Sequence, residues 1–327
     1  MPVRVGIPRY LAYFSYYPWW KTFFEELGLE VITSSPTTKR TLDDGVAEAV
    51  TDACIPIKLY HGHVVELKDK VDFIFVPRLV KVRKFFTETF CPKFLALPDL
   101  LRASINDLPE ILDTRVDLSQ GPFELFRISK EVGERFGAGL SRISRAYLLA
   151  CKALRRYRNL MLGGMLADEA LEHMENGGGT NREQKRELTI AVLGYPYLIY
   201  DNFINLDLVN KLRKMGADVV TAEMVSPRKM LREAKRLPKQ MFWHYSNRAM
   251  HAAYYYMNRK RVDGIIHVTA FICGPDAMLD RLMEIESRHY DQMPFLTISI
   301  DEETGSGGVD TRLEAFIDML KRRRVQE

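Results

Sequence analysis

Cysteine is scarce in this chain, and closely spaced cysteine pairs are missing altogether: Cys54, Cys91, Cys151 and Cys273 form no CxxC. That excludes zinc-ribbon and bacterial-ferredoxin patterns, which are built on such pairs. Widely spaced cysteines in a reducing compartment point to thiols or metal ligands rather than disulfides. No GxxxxGK[ST] loop occurs, so the phosphate cradle of a P-loop hydrolase is not encoded. Long apolar runs are missing too; the longest, around Leu188–Tyr200, is broken by Gly194 and Pro196, and no membrane partner is expected. The chain enters Val3-Arg4-Val5-Gly6-Ile7 without an apolar signal region, from which a cytoplasmic location is expected. A net charge of +4 is too small to suggest a nucleic-acid partner. What is present, 46% hydrophobic and 28% charged residues over 327 positions, is the composition of a folded chain with room for two domains.

Two stretches repeat one another. Val5-Gly6-Ile7-Pro8, an aromatic helical pattern from Pro18 to Leu27, Gly28 and the strand pattern Leu29–Thr33 match Val192-Leu193-Gly194-Tyr195-Pro196, the helical pattern Leu206–Met215, Gly216 and Ala217–Thr221. The glycines Gly6 and Gly28, like Gly194 and Gly216, lie 22 residues apart, and Thr33 and Thr221 follow at the same offset. Each stretch then reaches a Val-Asp strand pattern, Val71–Val76 and Val262–Val268, with a cysteine beyond it. Strand, helix, glycine, strand predicts parallel pairing, because parallel neighbours need a crossover and glycine at C′ lets the helix stop in a left-handed conformation. The fold expected is therefore α/β: two doubly wound, flavodoxin- or Rossmann-like parallel-sheet domains forming a pseudo-repeat. Such sheets bind ligands beyond the carboxyl ends of their strands, and two facing domains can close a cleft there.

Between the halves, Gly121–Met174 reads as mostly helical, with apolar positions through Ile143, Tyr147, Leu148, Cys151, Leu154 and Leu160. Glu175-Asn176-Gly177-Gly178-Gly179-Thr180-Asn181-Arg182 reads as a flexible loop. The expected division is an N-terminal α/β domain over 1–105, a helical bridge and loop over 106–186, and a C-terminal α/β domain over 187–327.

Three cysteines stand where an element runs into a loop: Ala53-Cys54-Ile55-Pro56, Phe90-Cys91-Pro92-Lys93 and Ile272-Cys273-Gly274-Pro275-Asp276. Each has proline within two residues, read here as the end of an element. Cys54 is taken to end a helix starting at Thr41, with Thr41 as cap and Asp44 at N3. An isolated cysteine is more often core than ligand. Loop positions favour ligation for these three, whereas Cys151, on the apolar side of a helical pattern, reads as core. Thiolates select soft metals, zinc or iron–sulfur clusters, over hard cations.

At these residues the chain resembles the acyl-CoA dehydratase activase-related proteins, relatives of the iron–sulfur subunits of 2-hydroxyacyl-CoA dehydratases and benzoyl-CoA reductases and of double-cubane cluster proteins. The resemblance covers most of the chain and is carried by Gly6-Ile7-Pro8-Arg9, Tyr17–Phe24, Cys54–His63, Cys91-Pro92-Lys93, Ile272–Asp276 and Asp301–Phe316. It implies a [4Fe-4S] cluster held by Cys54, Cys91 and Cys273 between flavodoxin-like domains, one iron being left without a protein sulfur. It also implies low-potential electron transfer or a reductase or dehydratase role, dependent on an ATP-hydrolysing activase. Since no ATPase module is fused here, that activase is expected to be a separate protein, and too few cysteines are present for a double-cubane cluster. A small-molecule substrate fits the resemblance, and a homodimer is left open. The rival readings are a zinc-binding protein and a cluster-free small-molecule binding protein of the same fold.

Further candidates are weaker. Lys58 or Lys93 could offset an anionic cluster and His61 could donate a proton, against a solvated lysine and a satisfied helical histidine; Lys58, His61 and His63 diverge around a helix and cannot share one ligand. His267, inside an apolar strand, reads as a hydrogen-bonded core histidine. Asp301–Gly308 reads as a capping loop, with Thr311 and Glu314 spaced as a capping box. The basic runs Lys81-Val82-Arg83-Lys84 and Arg155-Arg156-Tyr157-Arg158 read as solvated surface, with docking of an acidic redox partner or a CoA phosphate as the alternative. The aromatic cluster from Tyr10 to Trp20 is expected to divide between core packing and shielding of a cluster from water and oxygen.

Overall fold

The alternation of strand-like and helical patterns folds, in a computed structural model describing residues 2–82, 88–177, 187–258, 261–290 and 292–326, into parallel sheets flanked by helices. The segment expected to be a flexible loop lies outside the described residues from Gly178 onward, as do Arg83 and Lys84 of the first basic run. Two compact units are present: Met1–Asn159 with Phe242–His244, and Leu160–Met241 with Tyr245–Glu327. The segment 106–186 is thus shared between them, the division falling at Asn159.

The first unit runs β1 (Arg4–Ile7), α1 (Tyr13–Glu26), β2 (Glu30–Thr33), α2 (Lys39–Glu48), α3 (Ile55–Leu67), β3 (Phe73–Phe75), β4 (Arg78–Lys81), α4 (Pro92–Leu95), α5 (Leu97–Ser104), β5 (Glu110–Leu112), β6 (Arg115–Asp117), α6 (Glu124–Arg135) and most of α7 (Leu140–Leu162). Its sheet has the order β2-β1-β3-β5, every pair parallel, with Val5 opposite Val31 on one side and Phe73 on the other. The small parallel pair β4 and β6 stands apart. The second unit runs α8 (Ala167–Asn176), β7 (Leu188–Gly194), α9 (Pro196–Ile199), α10 (Leu208–Lys214), β8 (Ala217–Val220), α11 (Pro227–Ala234), α12 (His244–Met257, less His244), β9 (Gly264–Ala270), α13 (Gly274–His289), β10 (Phe295–Ile300) and α14 (Ser306–Gln326). Its sheet order is β10-β9-β7-β8, again parallel throughout.

Read in chain order, both sheets place their strands second-first-third-fourth, the doubly wound topology whose switch point lies between the first and third strands. The pseudo-repeat is real at the level of backbone. Gly28 (φ +83°) and Gly216 (φ +89°) each follow a helix in the left-handed conformation that the spacing predicts. Ile190 to Leu193, with Ile265, Ile266 and Val268, are wholly buried, as expected of parallel strands covered on both faces. No described helix is long and apolar enough to cross a membrane.

Three element boundaries differ from expectation. The helix α2 starts at Lys39, capped by Thr38 in a reciprocal capping box with Thr41 at N3, and ends at Glu48; Thr41 is not the cap and Cys54 is not in this helix. The aromatic helix α1 begins at Tyr13 and carries Pro18 in its interior, because burial of Tyr13, Phe14 and Tyr17 outweighs the lost backbone bond. Helix α14 begins at Ser306, so Thr311 is inside it, its hydroxyl bonded to the Gly307 carbonyl at 3.0 Å, and does not cap it.

Candidate metal centre

All three loop cysteines turn out to be helix N-caps. Cys54 caps α3, Cys91 caps α4 and Cys273 caps α13, each in extended backbone and each with proline at N1 or N2. Proline here starts helices rather than ending elements, since its fixed φ suits the first turn and its missing N–H costs nothing there. Cys91 and Cys273 occupy equivalent places in the repeat, on the way from the third to the fourth strand of their sheets.

Within the first unit, Cys54 and Cys91 are near neighbours. The Lys93 ammonium, in the first turn of α4, donates to the Asp52 carbonyl just before Cys54. Both thiols are half-buried, the four cysteines form no disulfide, and neither the Cys54 nor the Cys91 side chain makes a capping hydrogen bond. Burial pushes the Cys54 thiol above its ordinary pKa, against the Ile57 N–H; the Cys91 charge raises it further and Lys93 draws it down. Cys91 is likewise raised by burial and drawn down by the N–H groups of Phe94 and Lys93 and by the Lys93 charge. Without a metal both sulfurs therefore hold their protons, and a soft cation that displaces them finds first-turn amides and an ammonium ready for the thiolates.

The segment leading to Cys91 is anchored by residues far away in sequence. Thr89 pairs in parallel with Trp243, its N–H donating to the Phe242 carbonyl and its carbonyl accepting from the His244 N–H. Glu88 and His244, both buried, are hydrogen-bonded through Nδ1 of the ring at 2.8 Å, and Phe90 lies against the His244 ring. Sequence reasoning missed Glu88 and His244 because nothing local marks a contact across so many residues.

In the second unit, Cys273 follows Ile272, a β-branched residue at φ +65°. That conformation costs about 1–3 kcal/mol and persists only where its surroundings hold it. Phe271 and Ile272 are exposed. Three residues on, Asp276 is wholly buried, and its Oδ1 lies 3.3 Å from Nε2 of the equally buried His267. On the other side of the ring, His267 Nδ1–H donates to Asp280 at 2.7 Å, and the Thr297 hydroxyl donates to the same oxygen at 2.7 Å. Burial opposes protonation of His267, but Asp276 and Asp280 outweigh it and raise its pKa to about 9. His267 is thus a hydrogen-bonded core histidine, clamped by two carboxylates on the first turns of the helix that Cys273 caps.

Other sequence candidates are placed as follows. The His61 Nδ1–H donates to the Ile57 carbonyl at 2.8 Å within α3, and burial lowers its pKa. Lys58 is buried in the same helix, and His63 stacks on Tyr10 with its Nε2 3.0 Å from the Thr37 hydroxyl. Cys151 is half-buried on α7. Tyr13 and Tyr17 stack at 4.2 Å, with the Arg9 guanidinium over the Tyr13 ring. Among the described residues no three His, Cys, Asp or Glu side chains converge closely enough to hold a single metal ion. A cubane cluster does not require that convergence, because each thiolate binds a different iron.

Parallel doubly wound sheets flanked by helices define the class as an α/β protein. Residues 4–225 match the model of the CoA enzyme activase uncharacterised domain (DUF2229), and the chain belongs to that family. No curated protein matches it. Among solved structures, the periplasmic zinc binding protein TroA from Treponema pallidum is similar over 98% of each chain at 9% identity, with a TM-score of 0.29.

Proposed function

We propose that this chain is an iron–sulfur component of a CoA-enzyme system, holding a [4Fe-4S] cluster on Cys54, Cys91 and Cys273 and receiving electrons from a separate activase-type ATPase. The observation that carries the reading is the shared setting of the three thiols: each caps a helix with proline at N1 or N2. Membership of the activase-domain family supports it. Cys54 and Cys91 are neighbours in one unit; Cys273 joins them on the resemblance and on its equivalent place in the second.

When bound, such a cluster supplies one-electron chemistry at low potential. The chain's own residues prepare for it. First-turn amides and Lys93 favour the anionic form of Cys54 and Cys91, and hydrogen bonds or positive charge near a sulfur are levers on potential. The Glu88–His244 pair orients the segment before Cys91, and the His267 clamp holds the turn that presents Cys273.

Anaerobic purification with iron and sulfide analysis, and EPR of the dithionite-reduced protein, tests the reading. About four iron and four sulfide per chain with a reduced-cluster signal is expected. Cys54→Ser, Cys91→Ser or Cys273→Ser is expected to abolish it and Cys151→Ser to leave it intact. Zinc, or no metal after anaerobic reconstitution, would overturn the proposal.

A further inference from the structure

Away from the cysteines, the first unit holds a cavity of about 180 Å³. Trp19, Trp20, Phe23 and Phe24 of α1 and Phe75 at the end of β3 contribute five aromatic rings to its lining. Ring contacts fix these side chains in place: Phe75 meets Trp20 edge-on at 5.2 Å and Phe24 at 5.0 Å, and Trp19 stacks on Phe23 at 4.9 Å. Native interiors leave few voids larger than a water molecule, because side chains normally turn inward to fill them. Rings already packed against one another are not free to do so. An apolar void of about 150 Å³ is enough to take up benzene.

The polar groups of the lining decide the charge of the occupant. The Ser129 hydroxyl donates to the Leu125 carbonyl at 2.5 Å. Arg158 and Tyr16 are engaged with other groups, and Thr114 is half-buried, where solvent reaches it. The Trp19 indole N–H is buried and has no surface open to the cavity. Among the described residues no lining cation or buried donor is therefore available to a charged group, which would give up its hydration with nothing to replace it. Water fares little better, since it needs roughly two to four polar partners to be held in such a void. An uncharged aromatic ring meets both constraints, because its face and edge can join the lining rings in the offset or edge-on arrangements that aromatic pairs prefer.

We propose that this cavity is a binding site for a small uncharged aromatic molecule of about one ring. No cysteine lines the site, and its test is independent of metal content. Isothermal titration of the full chain with three ligands of closely similar size decides it: toluene, benzoate as the charged counterpart, and methylcyclohexane as the counterpart without a π system. Saturable binding of toluene is expected. Benzoate is expected to bind at least about tenfold more weakly, its carboxylate finding no partner to offset desolvation. Methylcyclohexane is expected to bind several-fold more weakly, since it fills the space without the ring–ring geometry. Val132→Phe and Leu125→Phe each put a ring's volume into the lining and are expected to abolish toluene binding, with cooperative thermal unfolding showing that each variant is folded. Absence of saturable toluene binding, benzoate or methylcyclohexane bound as tightly as toluene, or toluene affinity unchanged in both folded variants would overturn the proposal.

Discussion

Replacing His267 by glutamine keeps a hydrogen-bonding side chain in β9 and removes the imidazole that faces Asp276, whose carboxylate is wholly buried. Breaking a buried pair by removing one partner typically costs about 3–5 kcal/mol. The pH dependence gives a second, independent magnitude. Raising an imidazole from its ordinary 6.5 to about 9 in the fold corresponds to about 3 kcal/mol. The sign follows from linkage: because the folded pKa is the higher one, this stability is fully present below the unfolded value of 6.5 and is lost as pH rises through about 9. Urea unfolding of the parent and His267→Gln chains, followed from about pH 6 to about pH 10, is expected to show the gap between them shrinking by about 3 kcal/mol across that range. Subtracting the variant removes the titration of distant lysines and tyrosines, which both chains share. Adding Asp276→Asn to His267→Gln removes the stranded charge and is expected to recover part of the loss. A gap that stays flat with pH would refute the clamp, since a neutral His267 could contribute packing but no linkage.

Helices α2 and α3 meet at two reciprocal glycines: a Cβ on Gly62 would lie 1.8 Å from the Thr41 carbonyl oxygen, and one on Gly45 1.9 Å from that of Lys58. Backbone cannot step aside as a side chain can, so Gly62→Ala is expected to cost at least roughly 1–3 kcal/mol, read as a lowered melting temperature. His63 behaves oppositely to His267. Burial lowers its pKa from 6.5 to about 4, so the stability it contributes is present above 6.5 and lost as pH falls through about 4. His63→Gln is expected to flatten the acid limb of the stability curve between those values. Tyr157 spends its buried hydroxyl on the Phe14 carbonyl at 2.7 Å; Tyr157→Phe leaves that carbonyl without its donor and is expected to cost about 1–3 kcal/mol in chemical denaturation.

Much of this architecture was legible in the amino-acid sequence, because strand and helix periodicities and C′ glycines act locally. The matched Gly6/Gly28 and Gly194/Gly216 spacings announced two parallel sheets of one topology, and the cysteines before proline announced positions at element ends. Proline by itself, however, marks both the end of one element and the start of the next. Which applied at Pro56, Pro92 and Pro275 was decided by the helices that follow, and this turned the cysteines into N-caps.

Contacts between distant residues were not legible. Glu88 meets His244, Asp276 meets His267, and Gly45 meets the backbone of α3 only because packed elements bring them together. The unpartnered indole N–H of buried Trp19 is likewise invisible in a helical pattern that reads simply as core. Short-range sterics and hydrophobic period are written along the chain, so the sequence by itself determined the elements and their order. Charge pairing, close backbone approach and void volume depend on which surfaces meet, and those only the tertiary structure decided.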